Sequence, residues 1–173
     1  MIINVMCQNI KQNMKYIGID NGMSGGIAII EEKKILELIP MPVVQSTDSR
    51  NEYDINTITE IIKKYPDATM IIEKAHAMPL LGTIQAFSFG KCYGIMLGIA
   101  GALKMPVNIV HSKTWQKEMF RDLNSDNTKQ ASVIIAKQLY PNQTFLPTLR
   151  SKKPSDGLTD AILIATYGQR HNL

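Results

Sequence analysis

Four carboxylates occupy positions where an ionised group needs a reason. Asp20 closes the apolar run "KYIGID" just before Asn21-Gly22, and Glu73 closes "TMIIE". Asp156 and Asp160 fall in "PSDGLTDAILIATYG", four residues apart and so on one face of a helix. Each has an ordinary explanation. Asp20 suits a turn, Glu73 beside Lys74 suits an exposed strand end, and Asp156 suits a helix N-cap. Jointly they point elsewhere. If the strands ending in Asp20 and Glu73 are parallel neighbours, both acids project from the same edge, and a helix packed on that sheet brings Asp156 and Asp160 alongside. Carboxylates crowded this way repel one another unless divalent cations neutralise them. Oxygen-only ligands favour Mg2+ or Mn2+ over zinc. Two such ions about 3.5–4 Å apart activate water and stabilise the leaving oxygen in phosphodiester hydrolysis.

The elements that must position these groups are legible from hydrophobic patterning. Residues 15–20, 26–32 and 33–41 read as three strands, spaced closely enough for an antiparallel meander. The polar stretch 43–53 reads as a loop. Asp54 then caps a helix with apolar positions at Ile55, Ile58, Ile61 and Ile62, ended by Pro66. A strand over 68–75 follows, then a long helix over 82–103 rich in small residues, then a strand over 106–111. Further helices are expected from Lys113, over 127–139 and over 156–167, with the basic loop "YPNQTFLPTLRSKKPS" between the last two. Trp115 is expected to be a core residue. Right-handed crossovers make the fourth and fifth strands parallel to the first. The expected architecture is α/β and ribonuclease H-like: a five-stranded mixed sheet, a three-strand antiparallel meander plus two parallel strands, flanked by helices.

Bulk properties narrow the class. The chain has 173 residues, 45% of them apolar and 20% charged, which describes a globular protein and not a disordered one. Net charge is +4 and the pI is near 9.0, compatible with a nucleic-acid partner. The two cysteines, Cys7 and Cys92, form no CxxC or Cys/His cluster, which argues against a disulfide framework or structural zinc and for a reducing, intracellular setting. No apolar run reaches membrane-spanning length. Residues 1–13 are expected to be a short extension, and 14–173 a single nuclease domain.

With these residues in place, the sequence resembles the RuvC-type Holliday junction resolvases, in particular their phage and viral branch. The resemblance runs from Met14 to Arg170 through "IGIDNGMSGGIAII", "IIEKAHAMP", "FSFGKCYGIMLGIAGAL", "TWQKEMF", "NTKQASVIIAKQLYP" and "KKPSDGLTDAILIATYG". It implies a homodimeric endonuclease that nicks two opposing strands of a four-way DNA junction, using Asp20, Glu73, Asp156 and Asp160 with Mg2+, or Mn2+ in its place, two ions per site. It also implies that the glycine-rich helix 82–103 forms the dimer interface. Two departures stand out. The last two acids are four apart here and three apart in the bacterial enzymes, and Ser155 stands where related phage sequences often carry histidine. His76 lies where bacterial relatives have an aromatic that stacks on a junction base. Lys117 and Lys129 align approximately with DNA-contacting lysines, and Arg150, Lys152 and Lys153 suit a clamp on the DNA backbone. Each of these basic residues has the alternative of being simply solvated.

Three other readings are open at this level. "GIDNGMSGG" resembles the first phosphate loop of actin-like ATPases and sugar kinases, although those enclose a nucleotide between two such domains. Compact relatives within the fold process structured RNA. A junction-binding protein with a dead site is the third, and the presence of all four acids weighs against it.

Overall fold

A computed structural model of the chain describes residues 14–46, 51–75, 82–123 and 127–173. Both the expected extension at 1–13 and His76 lie outside the described residues. Strands β1 (Lys15–Asp20), β2 (Gly26–Glu31) and β3 (Lys34–Pro40) form the meander. Strands β6 (Thr69–Glu73) and β7 (Val107–Val110) complete a five-stranded sheet in the order β3-β2-β1-β6-β7. β1 pairs antiparallel with β2 and parallel with β6, and β6 pairs parallel with β7. This is the mixed sheet expected from the sequence.

The stretch 43–53 is not a plain loop. Val43–Gln45 (β4) and Asn51–Tyr53 (β5) pair antiparallel as a small separate sheet, with Val43 opposite Tyr53. Strands of three residues are too short to show a period. This pair is stabilised from elsewhere: the Tyr53 hydroxyl lies 3.0 Å from the Ser88 carbonyl oxygen, to which it donates. Helix α1 (Ile55–Lys63) follows, capped by Asp54, whose carboxylate accepts from the Thr57 backbone N–H at 3.0 Å. The remaining helices are α2 (Thr83–Ala102), α3 (Ser112–Met119), α4 (Thr128–Leu139) and α5 (Asp156–His171). The last helix runs one turn beyond the expected end and stops at Asn172, which adopts the left-handed conformation.

The central strands read as continuous apolar runs because both sheet faces are covered. Along β1, Tyr16 belongs to one hydrophobic cluster with α3, α4 and α5, while Ile17 and Ile19 belong to another with α1 and α2. Small residues set the distance between α5 and the sheet. A Cβ on Gly18 would lie 2.2 Å from the Ala161 carbonyl oxygen, and one on Gly157 would lie 2.1 Å from the Ser24 carbonyl oxygen. The first turns of α5 therefore rest directly on β1 and on the β1–β2 turn, with no side chain between.

Helix α2 is different. It buries Cys92, Met96, Ile99 and Ala100 against its own sheet, yet a Cβ on Gly90, Gly94, Gly98 or Gly101 would meet nothing within 4 Å. Packing among the described residues does not require those glycines, and Ile84 and Phe87 on the same helix are 85% and 72% exposed.

The backbone contact at Gly18 yields a prediction. Gly18→Ala forces α5 away from β1, and overpacking of this kind costs about 1–3 kcal/mol. Urea unfolding should show that loss. Gly94→Ala, placed where the chain leaves open space, should leave the midpoint unchanged or raised, since alanine favours a helix over glycine by about 1 kcal/mol.

Candidate active site

β1 and β6 are parallel neighbours whose last register partners are Ile19 and Ile72, so Asp20 and Glu73 leave the sheet side by side at its carboxyl edge. Asn21 fastens this edge. Its side-chain N–H2 donates to the Glu73 carbonyl oxygen at 2.6 Å, and the residue is 5% exposed. The Glu73 side chain is itself oriented: the Trp115 indole N–H donates to its Oε2 at 2.9 Å. Trp115 is fully buried, so it is the expected core residue, and it also satisfies the demand of a buried indole for an acceptor.

α5 brings the other two acids. Asp156 is its first residue, and Asp160 follows one turn later. α4 runs beside α5 and supplies partners to both. Lys129 Nζ lies 3.3 Å from Asp156 Oδ2. Ser132, one turn along α4 and fully buried, donates to Asp160 Oδ1 and has its oxygen 3.1 Å from Thr159 Oγ1. Thr159 in turn donates to the Asp156 carbonyl oxygen at 2.9 Å, inside the first turn of α5.

The four acids act on one another electrostatically. Burial raises the Asp20 carboxyl well above its ordinary 3.8, and the negative charges of Asp160, Glu73 and Asp156 raise it further, in that order. Burial also pushes Asp160 up, to about 7, with Glu73 and Asp156 adding to the rise while Ser132 and Lys129 oppose it. Four positions separated by as many as 140 residues of sequence thus form one electrostatic unit. Among the described residues, no three carboxylate, imidazole or thiol groups converge into a ready cation cage. Glu73, Asp156 and Asp160 are turned instead toward Trp115, Lys129 and Ser132. The donor chemistry nonetheless fits a hard divalent cation. The groups are all oxygen donors, and their mutual repulsion is what a cation relieves.

The other residues singled out from the sequence divide into groups. Lys129 is part of the cluster. Lys117 is exposed on α3, lines a depression with Thr114, Glu118 and Arg121, and is not among the charges acting on Asp20 or Asp160. Arg150, Lys152 and Lys153 are exposed on the loop leading into α5. Sequence reasoning missed Asn21, Ser132 and the role of Trp115 toward Glu73. One signal was available: Lys129 and Ser132 are three apart, and so share a helix face.

The fold and the carboxylate edge define the class: a ribonuclease H-like sheet with acids at the carboxyl ends of its first and fourth long strands and at the start of its last helix. Solved structures similar to this chain include Holliday junction resolvases. The chain is similar to Thermus thermophilus RuvC in complex with a Holliday junction substrate, with a TM-score of 0.59 and 14% identity over 92% of this chain and 96% of that one. A second Thermus thermophilus RuvC structure gives a TM-score of 0.58 at 14% identity, over 92% and 97% of the two chains. The yeast mitochondrial Holliday junction resolvase gives 0.53 at 12% identity, over 96% and 84%. No protein-family profile and no curated protein sequence matches the chain.

The raised carboxyls predict an unusual pH dependence. The folded form holds protons on Asp20 and Asp160 more readily than the unfolded chain does. That contribution to stability is complete below about pH 4 and is lost as pH rises through about 7. In chelator, the melting temperature should fall over this window, and Asp160→Asn should flatten the decline. Identical slopes for the two proteins would mean that Asp160 does not carry this charge repulsion.

Proposed function

We propose that this chain is a metal-dependent, structure-selective DNA endonuclease that resolves four-way junctions by paired symmetric nicks. The observation that carries the reading is the electrostatic coupling of Asp20, Glu73, Asp156 and Asp160 at one edge of a fold shared with junction resolvases. On this reading those four carboxylates hold divalent cations, Mg2+ or Mn2+ and two per site. Bound there, such ions would activate water and stabilise the leaving oxygen of the phosphodiester.

The chain's own groups have separable tasks. Trp115 fixes the Glu73 carboxylate, and Ser132 fixes that of Asp160. Asn21 ties the ends of β1 and β6 together, so that Asp20 and Glu73 keep their spacing. Lys129 balances part of the negative charge at Asp156, and it can pass to a phosphate oxygen because the pair is largely solvent-exposed and individually weak. Arg150, Lys152 and Lys153 contact the DNA backbone without reading sequence, Lys117 adds a phosphate contact further out, and His76 stacks against a base near the crossover. The exposed glycines of α2, with Ile84 and Phe87 beside them, suit a second copy of the chain. Two copies related by a two-fold axis would set two sites on opposing strands. None of the described helices is long and apolar enough to cross a membrane, and the proposed setting is intracellular, where branched DNA is processed.

The test is cleavage of synthetic four-way junctions, compared with forks, linear duplex and structured RNA, in Mg2+ and in Mn2+. Paired nicks in the junction are expected; a preference for RNA would overturn the substrate assignment. Asp20→Asn should abolish nicking and retain junction binding, because it removes a ligand and leaves the basic surface intact. Mg2+-dependent nicking by purified Asp20→Asn protein would sink the mechanism. Lys152→Ala with Lys153→Ala should weaken binding and reduce its salt dependence by about one contact per lysine. An unchanged salt slope would remove the clamp from the account.

A further inference from the structure

Two shallow depressions adjoin at the C-terminal end of α4 and the loop that follows it. One, of about 450 Å3, is lined by Lys137, Pro141, Gln143, Thr144, Leu146, Lys152 and Pro154. The other, of about 340 Å3, is lined by Lys33, Lys34, Ile35, Leu139, Tyr140, Pro141, Asn142 and Gln143. Pro141 and Gln143 belong to both, so the two form one continuous channel. Among the described residues, no carboxylate lines either part. Its four lysines also differ from others on the surface. Lys15, Lys63, Lys64, Lys91 and Lys129 each form an ion pair with a described carboxylate, and among the described residues Lys33, Lys34, Lys137 and Lys152 form none.

The position of the channel matters as much as its charge. At one end, Lys152 and Pro154 lead within a few residues to Asp156. At the other, Lys33 lies in the β2–β3 turn and Lys34 opens β3, and Glu31 opposite Lys34 pairs with Lys15, the first residue of β1. Lys34 therefore lies at the end of the sheet opposite Asp20. Six residues of extended strand separate those ends, about 20 Å at roughly 3.3 Å per residue. Duplex DNA rises about 3.4 Å per base pair along its axis, so an arm lying along this length would span about six base pairs. Asn142 and Gln143 at its middle offer neutral amide donors to phosphate oxygens.

We propose that this channel is a phosphate track for one duplex arm, running from the candidate active site to the β2–β3 turn. The inference rests on the reading of the chain as a junction nuclease and extends it: selectivity for branched DNA is set partly by arm length, through contacts about 20 Å from the chemistry. Free cations spaced along a carboxylate-free channel recruit a polyanion, and each phosphate neutralised steepens the dependence of binding on salt.

The test varies the arm. Binding of the full chain to four-way junctions with arms of about 4, 8 and 16 base pairs is measured across a salt series, a range chosen to bracket the length of the track. The wild type should gain affinity and salt slope between the shortest and middle arms and little beyond. Lys33→Gln, Lys34→Gln and Lys137→Gln combined should lose about tenfold in affinity for the longer arms, with the slope reduced by two to three contacts. Binding and nicking of the short-arm junction should be unchanged, with the melting temperature as a folding control. Equal affinity and slope for variant and wild type on long arms would overturn the track, while paired nicking by both would leave the nuclease reading standing. Loss of melting temperature without loss of binding would give these lysines a role in folding stability and overturn the track. If neither protein binds branched DNA, the nuclease reading and the track fall together.

Discussion

The structure depends on holding four negative groups together at the place where a helix meets a sheet with nothing in between. Gly18 and Gly157 bring α5 into backbone contact with β1 and the β1–β2 turn, and that contact carries Asp156 and Asp160 to the edge where Asp20 and Glu73 emerge. Burial raises the Asp20 and Asp160 carboxyls, and the repulsion among the acids raises them further. Packing energy offsets it. α5 is buried from Gly157 to Gly168 except at Asp160, so the apolar contact of most of a helix stands against the charge crowding at its start. Substitutions that loosen this contact would relieve the repulsion and dismantle the site at once, which couples fold and site tightly.

Around the four acids lies a ring of groups that fix orientation. Asn21, Trp115 and Ser132 each engage one acidic residue or its backbone, and each comes from a different element. A free carboxylate samples rotamers, and ordering it when a ligand arrives costs side-chain entropy. For Glu73 and Asp160 the cost is met in advance by hydrogen bonds from buried donors. Asp156 is held differently. It is held by an exposed lysine, and it is the acid whose spacing departs from that of the bacterial enzymes. It is therefore the member most able to change its partner.

How much of this was legible in sequence follows from the range of the interactions. The strands of the five-stranded sheet are apolar runs with turn residues between them, and their order follows from connection lengths and handedness. Asp20 and Glu73 close apolar runs and Asp160 opens one, and a carboxylate at the edge of a buried run is locally anomalous. The β4–β5 pair left no such trace, since three-residue strands have no period and Tyr53 is tied to Ser88, thirty-five residues away. Ser132 was invisible for a related reason. Serine in a helix is common, and only the packing of α4 against α5 turns it toward Asp160. Trp115 was legible as core but not as a partner of Glu73, because burial is a property of one residue and a hydrogen bond is a property of two.

The distribution of charge joins these points. A cluster of carboxylates repels the phosphates of the proposed substrate, so an acidic site in a nucleic-acid enzyme requires compensation beyond any bound cation. The chain carries 19 lysines and arginines against 15 acids, a small excess whose placement matters more than its size. Many lysines are neutralised in pairs on the surface. Among the described residues, those with no ion pair include the four along the channel beside α4, and Lys153 and Arg150 on the loop leading into α5. The surface potential that would draw in a DNA arm therefore comes from a few unpaired cations leading toward the acids, with Lys129 at the boundary between the two signs. A phosphate following that gradient ends beside Asp156, at the edge of the four-carboxylate cluster.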